Sequence, residues 1–401
     1  MSERPIVELG KEVGRALRAG HPWVFARAIA GRPPRLPAGA IVDVHEAGRF
    51  VARGYWDPAS PIRVRILTRD PFEKIDALFW RRRIARAALL RTETIAPEAT
   101  DAYRVVHGES DGLPGLVVDR YGDFLVTKLY SAGLGQHLPS ILTALRAEVP
   151  GVRGIFGREE IGRDDVEGEE GPAQGRVHWG EAPPELVRIR EDGGTRFLVD
   201  VRGGQKTGFF LDQRENRFAL RRYAKGREAL NCFGYTGGFS VHLALGGARR
   251  VRTVDQDRDA IALAVRNFRE NGLDPDAHEF VAGDVFDELA AAKATGRSWD
   301  LIVLDPPAFA KSQKAVEAAI DGYASLNRAA LAVLRPGGIL VSCSCSARVG
   351  LADFTRAIAQ AAEKARVDLQ LVEQRFQPPD HPIALSFPEG RYLKVLVFRR
   401  I

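Results

Sequence analysis

In LVSCSCSARV, Leu340 to Val349, two of the three cysteines of the chain stand two residues apart. A zinc site wants four ligands, and the third cysteine, Cys232, lies in a different apolar run, so metal binding is not expected. A disulfide spanning one intervening residue is strained. What remains is a pair of small buried side chains or a nucleophile. Cys343 sits inside an apolar strand and reads as buried. Cys345 stands at the serine-flanked end of that strand and reads as the nucleophile. A carboxylate fit to work with it is Asp305, in Asp305-Pro306-Pro307-Ala308-Phe309. The two prolines hold a stiff exposed turn, and Phe309 offers a face to a flat ring. Together these groups suit attack of a thiolate on C6 of a pyrimidine, which turns C5 into a carbon nucleophile, with Asp305 on the N3/N4 side stabilising the charge that develops.

Such chemistry needs elements that bring its groups to one place. After Pro184, strand-like runs (ALNCF, RVRTVD, HEFVAG, DLIVLD, GGILVSC, DLQLVEQ and YLKVLVF) alternate with helical stretches such as GFSVHLAL and RDAIALAVRNFREN. Near-continuous apolar strands are buried on both faces, so the pattern predicts a doubly wound, mainly parallel, seven-stranded α/β sheet. Ligands of such sheets lie at the carboxyl ends of the strands. The first run, carrying Asn231 and Phe233, passes into Gly234-Tyr235-Thr236-Gly237-Gly238 ahead of a helix, where a ligand can approach the backbone and meet free N–H groups. The spacing is not GxGxxG, which speaks against a dinucleotide pyrophosphate. Asp255 ends the second run, placed to accept both hydroxyls of a ribose. Asp284 and Val285 follow the third, where an adenine edge and face would lie. These groups in this order predict an adenosine-type cofactor without a large phosphate, and S-adenosylmethionine fits best.

The chain has 401 residues, more than the roughly 250–300 at which a single core stops growing, so two or three domains are expected. With 45% apolar and 27% charged residues it is not a disordered chain. Residues 1–69 hold 12 Lys and Arg against 6 Asp and Glu, which accounts for all of the net charge of +6. The same segment carries the short apolar runs HPWVFARAI, GAIVDV, RFVARGYW and IRVRIL, which predict a small β-barrel of five or six strands with a basic surface suited to a polyanion. At least two of Trp23, Phe25 and Trp56 are expected in its core. Pro71 to Arg91 turns to helical spacing, with Ile75, Leu78, Phe79, Ala88 and Leu89 on one side and Arg81, Arg82, Arg83, Arg86 and Arg91 on the other. A hairpin is expected around Gly112 to Tyr130, and the acidic stretch Gly157 to Pro172 reads as an exposed loop. The N-terminus lacks the apolar core of a signal peptide, no window reaches the ~20 apolar residues of a membrane span, and an odd cysteine count suits a reducing cytoplasm.

With these motifs in view, the chain resembles the bacterial ribosomal RNA (cytosine-C5)-methyltransferases with an N-terminal PUA domain, which act on large-subunit rRNA. The likeness spans essentially the whole chain: GHPWVF (Gly20 to Phe25), HGESDGLPGLVVDRYGD (His107 to Asp123), GQKTGFFLDQRENR (Gly204 to Arg217), NCFGYTGGF (Asn231 to Phe239), LDPPAF (Leu304 to Phe309), SCS (Ser344 to Ser346), DHP (Asp380 to Pro382) and PEGRYLK (Pro388 to Lys394). The resemblance implies a PUA-like RNA-binding domain at 1–70, a linker helix and α+β middle domain at 71–190, and a class I methyltransferase domain at 191–401. It makes Cys345 the nucleophile and Asp305 its partner. It sets S-adenosylmethionine against Lys206, Thr207, Phe209 and Asp212 as well as Asn231, Phe233, the Gly234–Gly238 loop, Asp255, Asp284, Val285 and Asp305, with Pro306, Pro307 and Phe309 at the base. The family usually has another residue where Cys343 stands. Many other RNA cytosine-C5 methyltransferases carry a second cysteine in the fourth-strand motif to help release product, and DPPAF has none.

Two other readings stay open: a methyltransferase acting on a purine nitrogen with Cys345 structural, and a non-catalytic RNA-binding assembly factor. A homodimer is the working expectation for the assembly.

Overall fold

Short apolar runs separated by Gly and Pro pair into one sheet at the start of the chain. The computed structural model describes residues 4–10, 14–158, 175–309 and 316–401. Strands β1 (Ile6–Glu8), β2 (Trp23–Phe25), β3 (Ile41–Glu46), β4 (Arg49–Trp56) and β5 (Ile62–Thr68) pair in the order β1-β3-β4-β5-β2, and a short helix, α1 (Gly14–Arg18), separates β1 from β2 in sequence. Val24, Val42, Val44, Trp56 and Val64 lie in their common core. Of the three aromatics expected there only Trp56 is buried. Trp23 is half-buried because its indole N–H donates to Glu109 at 2.8 Å and its ring meets that of Phe387 at 4.7 Å.

Helix α2 (Ala77–Thr94) starts later than the spacing suggested, where the Asp76 carboxylate caps it by accepting from the N–H of Phe79 at 3.0 Å. Its inner face also differs from expectation. Phe79, Trp80, Ile84, Ala87 and Arg91 are buried, whereas Leu78 and Leu89 are both 56% exposed. Arg91, expected on the basic outer side, is 1% exposed because its guanidinium meets Asp111 at 2.8 Å and the carbonyls of Ala87, Arg104 and Asp380. A fully partnered arginine can be buried, and helical spacing cannot reveal partners that lie far along the chain. Strands β6 (Ala102–His107), β7 (Leu116–Tyr121), β8 (Phe124–Leu129), β9 (Gly154–Gly157) and β10 (Arg176–Gly180) form a second sheet, ordered β10-β9-β8-β7-β6, with α2 and α3 (Leu138–Glu148) packed together beside it. The expected hairpin is β7 and β8. Of the acidic stretch Gly157 to Pro172, all but its first two residues lies outside the described residues.

The chain divides into two compact units. One comprises Met1–Ile189, Val199–Leu211 and Pro379–Gly390; the other comprises Arg190–Leu198, Asp212–Pro378 and Arg391–Ile401. The hairpin β11 (Val187–Glu191) and β12 (Thr195–Val199) carries the chain between them.

The second unit is the expected doubly wound sheet. After α4 (Arg214–Ala219) come β13 (Glu228–Cys232), α5 (Gly238–Leu245), β14 (Arg250–Asp255), α6 (Arg258–Glu270), β15 (Glu279–Ala282), α7 (Val285–Thr295), β16 (Trp299–Leu304), α8 (Val316–Leu331), β17 (Leu334–Ser344), α9 (Leu351–Ala365), β18 (Leu369–Arg375) and β19 (Lys394–Arg400). The strand order is β15-β14-β13-β16-β17-β19-β18, parallel except for β19, which runs against both of its neighbours. Leu230, Ile302, Leu304, Leu340, Tyr323 and Phe354 are buried in its largest core, each such side chain contributing roughly 1.5–3 kcal/mol. Parallel pairing brings the carboxyl ends of β13, β14, β16 and β17 to one edge. The reversed β19 begins at that same edge, with Lys394 opposite Ser344.

Candidate active site

The turn after β13 is held in a conformation that side chains ordinarily avoid. Phe233 (φ 59°) and Tyr235 (φ 45°) are both left-handed, each at a cost on the order of 1–3 kcal/mol. Hydrogen bonds fix them there: Gly234 N donates to Val254 O at 2.9 Å and Tyr235 N to Asp255 Oδ2 at 2.7 Å. Gly237, at φ 82°, lies so close to α6 that a Cβ would stand 2.9 Å from that of Ala264, which explains why glycine opens this helix.

Around the turn lie the groups expected for an adenosine. Asp255 also accepts from the N–H of Asp257 at 3.0 Å; its two oxygens retain lone pairs for hydroxyl donors. Asp284 caps α7 by accepting from the N–H groups of Phe286 (2.7 Å) and Asp287 (3.1 Å). The Val285 side chain belongs to the core, so the contribution open to Val285 is its backbone. Asn231 donates to Ser240 Oγ at 2.9 Å, but its Oδ1 and the hydroxyl of Thr236 are buried with no partner among the described residues. A buried polar atom left unpaired costs roughly 1–3 kcal/mol, so these atoms fit a loop completed by a polar ligand. The groups named, two carboxylates, an amide oxygen and a hydroxyl, suit ribose and adenine.

At the neighbouring strand ends, Cys345 Sγ lies 4.0 Å from the carbonyl oxygen of Pro306, which puts the thiol and the Asp-Pro-Pro turn side by side. Asp305 Oδ1 accepts from Gln213 Nε2 at 3.1 Å. Cys343 is buried, within hydrogen-bonding reach of Gln213, and burial followed by the negative charge of Asp305 pushes its thiol well up, keeping it protonated. The ring of Phe309 is 4.7 Å from that of Tyr323 and packs on the core, so part of the face expected to meet a base is already covered. Pro306 is buried and Pro307 exposed. Asp212 Oδ2 accepts from Tyr392 at 2.7 Å.

Lys394 was not anticipated. Its ammonium is buried, donating to the carbonyls of Ser346 (2.6 Å) and Val349 (2.8 Å) in the turn that follows Cys345. Burial pushes it down to about 8, and the charge of Cys345 partly opposes that fall. A lone charge in the apolar run LKVLVF was the available signal. Gln213, also unanticipated, carried no signal beyond adjacency to Asp212.

Lys206, Thr207 and Phe209 lie in the other compact unit. There the Thr207 hydroxyl donates to Asp119 Oδ2 at 2.6 Å and lies 2.9 Å from the hydroxyl of Tyr121, which accepts from Phe209 N at 3.1 Å. Asp119 is held in turn by Arg104 Nε at 2.8 Å, and Asp380 Oδ2 accepts from Arg104 N at 2.9 Å.

The chain as a whole is matched by known proteins. A family model of S-adenosylmethionine-dependent methyltransferases fits residues 162–399, and a PUA-like domain model fits residues 7–69. The chain belongs to the S-adenosylmethionine-dependent methyltransferases. The Ribosomal RNA large subunit methyltransferase I of Cronobacter sakazakii is 43% identical to it over 395 residues, 98% of each chain. That of Salmonella schwarzengrund is 42% identical over 396 residues, 98% of this methyltransferase and 97% of its own length. A Streptococcus mutans structure assigned as a SAM-dependent methyltransferase shares the fold with a TM-score of 0.85 at 24% identity, covering 98% of this chain and 100% of the other. A methyltransferase crystallised with SAH matches with the same TM-score of 0.85. As the family model implies, the cofactor of this methyltransferase is S-adenosylmethionine. Among the described residues no helix is long and apolar enough to cross a membrane.

Proposed function

We propose that this methyltransferase acts on large-subunit ribosomal RNA and methylates cytosine at C5 through a covalent adduct between Cys345 and C6. The observation that carries the reading is the 4.0 Å approach of Cys345 Sγ to Pro306 O, the main chain of the Asp-Pro-Pro turn. The relatives named above support the substrate, as does the PUA-like domain whose basic residues would supply salt-sensitive affinity for phosphates.

S-adenosylmethionine would lie against the turn after β13, Asp255, Asp284 and the backbone of Val285, and supplies an electrophilic methyl group. The protein's own groups do the rest. The target cytosine leaves its stack and enters between Asp305 and Cys345. The thiolate of Cys345 forms a bond to C6, and the electron pair of the C5–C6 double bond moves to C5. Asp305, as a carboxylate on the N3/N4 side, accepts from the amino group and so holds the ring with C6 toward Cys345. After methylation, a base takes the C5 proton, the C5–H electron pair restores the C5–C6 double bond, and the C6–S bond breaks with its pair returning to Cys345 as thiolate. Lys394, its ammonium bonded to the turn after Cys345, favours the thiolate at both ends of the sequence.

Ribosomal RNA carrying 5-fluorocytidine at the target cannot lose a C5 proton, so the wild type should be trapped as a covalent adduct and Cys345→Ala should not. An alanine variant that methylates normally, or nucleoside mass spectrometry showing methylated guanosine or adenosine, would sink the reading.

A further inference from the structure

Asp305 is the end of a hydrogen-bond chain whose direction is fixed from outside. Arg375 Nε, which can only donate, bonds Asn216 Oδ1 at 2.9 Å. Asn216 Nδ2 donates to Gln213 Oε1 at 2.7 Å and to the carbonyl of Phe376, which can only accept, at 3.1 Å. Both ends therefore set the Asn216 amide the same way. Gln213 is left with Nε2 facing forward, donating to Asp305 Oδ1 at 3.1 Å. Gln213 and Asn216 are buried, so neither amide can turn over and trade partners with water.

We propose that Gln213 is a positioning residue: as the last member of the relay Arg375→Asn216→Gln213→Asp305, it holds one carboxylate oxygen of Asp305 as an ionised acceptor and directs the other toward the amino group of the target base. A donor to the charged form favours that form. The orientation matters chemically, because a carboxylate that could rotate or take a proton on Oδ1 would present a base with either a donor or an acceptor. The inference rests on the reading of Asp305 as the group that meets the base. Among the described residues, titratable side chains in electrostatic reach of Asp305 include Cys343 and Tyr323, and burial pushes both upward, away from the acid side.

The test follows methyl transfer from tritiated S-adenosylmethionine to large-subunit rRNA between pH 5 and 9, so that activity is read whichever base accepts. Gln213→Glu sets a second carboxylate against Asp305, and the pair must share a proton. On the acid side, where the wild-type kcat already falls as Cys345 takes a proton, Gln213→Glu should add a further, steeper loss of roughly tenfold as Asp305 shares its proton, moving the limb up by about one pH unit or more, with KM and S-adenosylmethionine affinity changed less than about threefold. Gln213→Met, which only removes the donor, should move the limb the same way by less. Arg375→Met, at the half-buried start of the relay, should give a still smaller shift and guards against misfolding at the centre. An unshifted limb in Gln213→Glu, or a loss uniform across pH that follows a fall in melting temperature, would overturn the proposal. The 5-fluorocytidine adduct is read on the same wild type. Its absence would overturn the C5 reading, while the limb shift would still decide the relay.

Discussion

Lys394 shows how much one residue's surroundings can alter its meaning. In sequence it is a charge at the head of an apolar strand; in the fold it ties the carbonyls of Ser346 and Val349 beside Cys345. Lys394→Met should cut methyl transfer by on the order of 10- to 100-fold at neutral pH and move the rising limb of the rate upward, because the thiolate loses a nearby cation. Lys394→Arg should recover part of the rate, and recovery of the rate by Met at all pH values would deny the cation a part. The two cysteines were separable in sequence by position alone, one inside the apolar run and one beyond it, and their burial follows that order. Gln213 and Lys394 were not legible, since what they do is set by partners 92 and 48 residues away.

At the scale of elements, α5 is anchored by a buried cluster around His242. His242 on α5 accepts from Arg221 Nε at Nδ1 (3.0 Å), so its neutral form carries the proton on Nε2, 3.5 Å from Glu191, which also pairs with Arg217. Burial holds His242 down to about 4. The unfolded chain takes up that proton near pH 6.5 and the folded chain only near 4, so stability is full above that window and falls as pH drops through it. His242→Gln, which keeps an acceptor for Arg221, should lose less stability than wild type between pH 6.5 and 4, by on the order of 2 kcal/mol in chemical denaturation. Equal losses would place the sensitivity elsewhere. Strands and helices of this unit were legible because apolar runs and helical spacing alternate without ambiguity. The register of α2 was not, because Arg91 is buried by pairing rather than by hydrophobicity.

The two units of the molecule are not consecutive blocks of sequence. Residues Val199–Leu211 and Pro379–Gly390 belong to the unit formed mainly by the first 189 residues. A fragment beginning at Arg190 would contain the complete seven-stranded sheet but would strip Thr207 of Asp119 and Asp380 of Arg104. It should melt well below the full chain or aggregate, as calorimetry and gel filtration would show; co-expression with residues 1–189 should restore it. An independently stable fragment would contradict this. The interleaving could not be read from composition, because contiguous sequence blocks carry no sign of a segment that returns. The same arrangement bears on the order of events during synthesis. Domains ordinarily fold as they leave the ribosome, N-terminal first, yet the carboxylate of Asp380 and the hydroxyl of Thr207 complete a network begun at Arg91, Arg104 and Asp119. The nascent N-terminal unit must therefore wait, unfinished, until translation has passed Gly390, and by then nearly all of the catalytic sheet has been made.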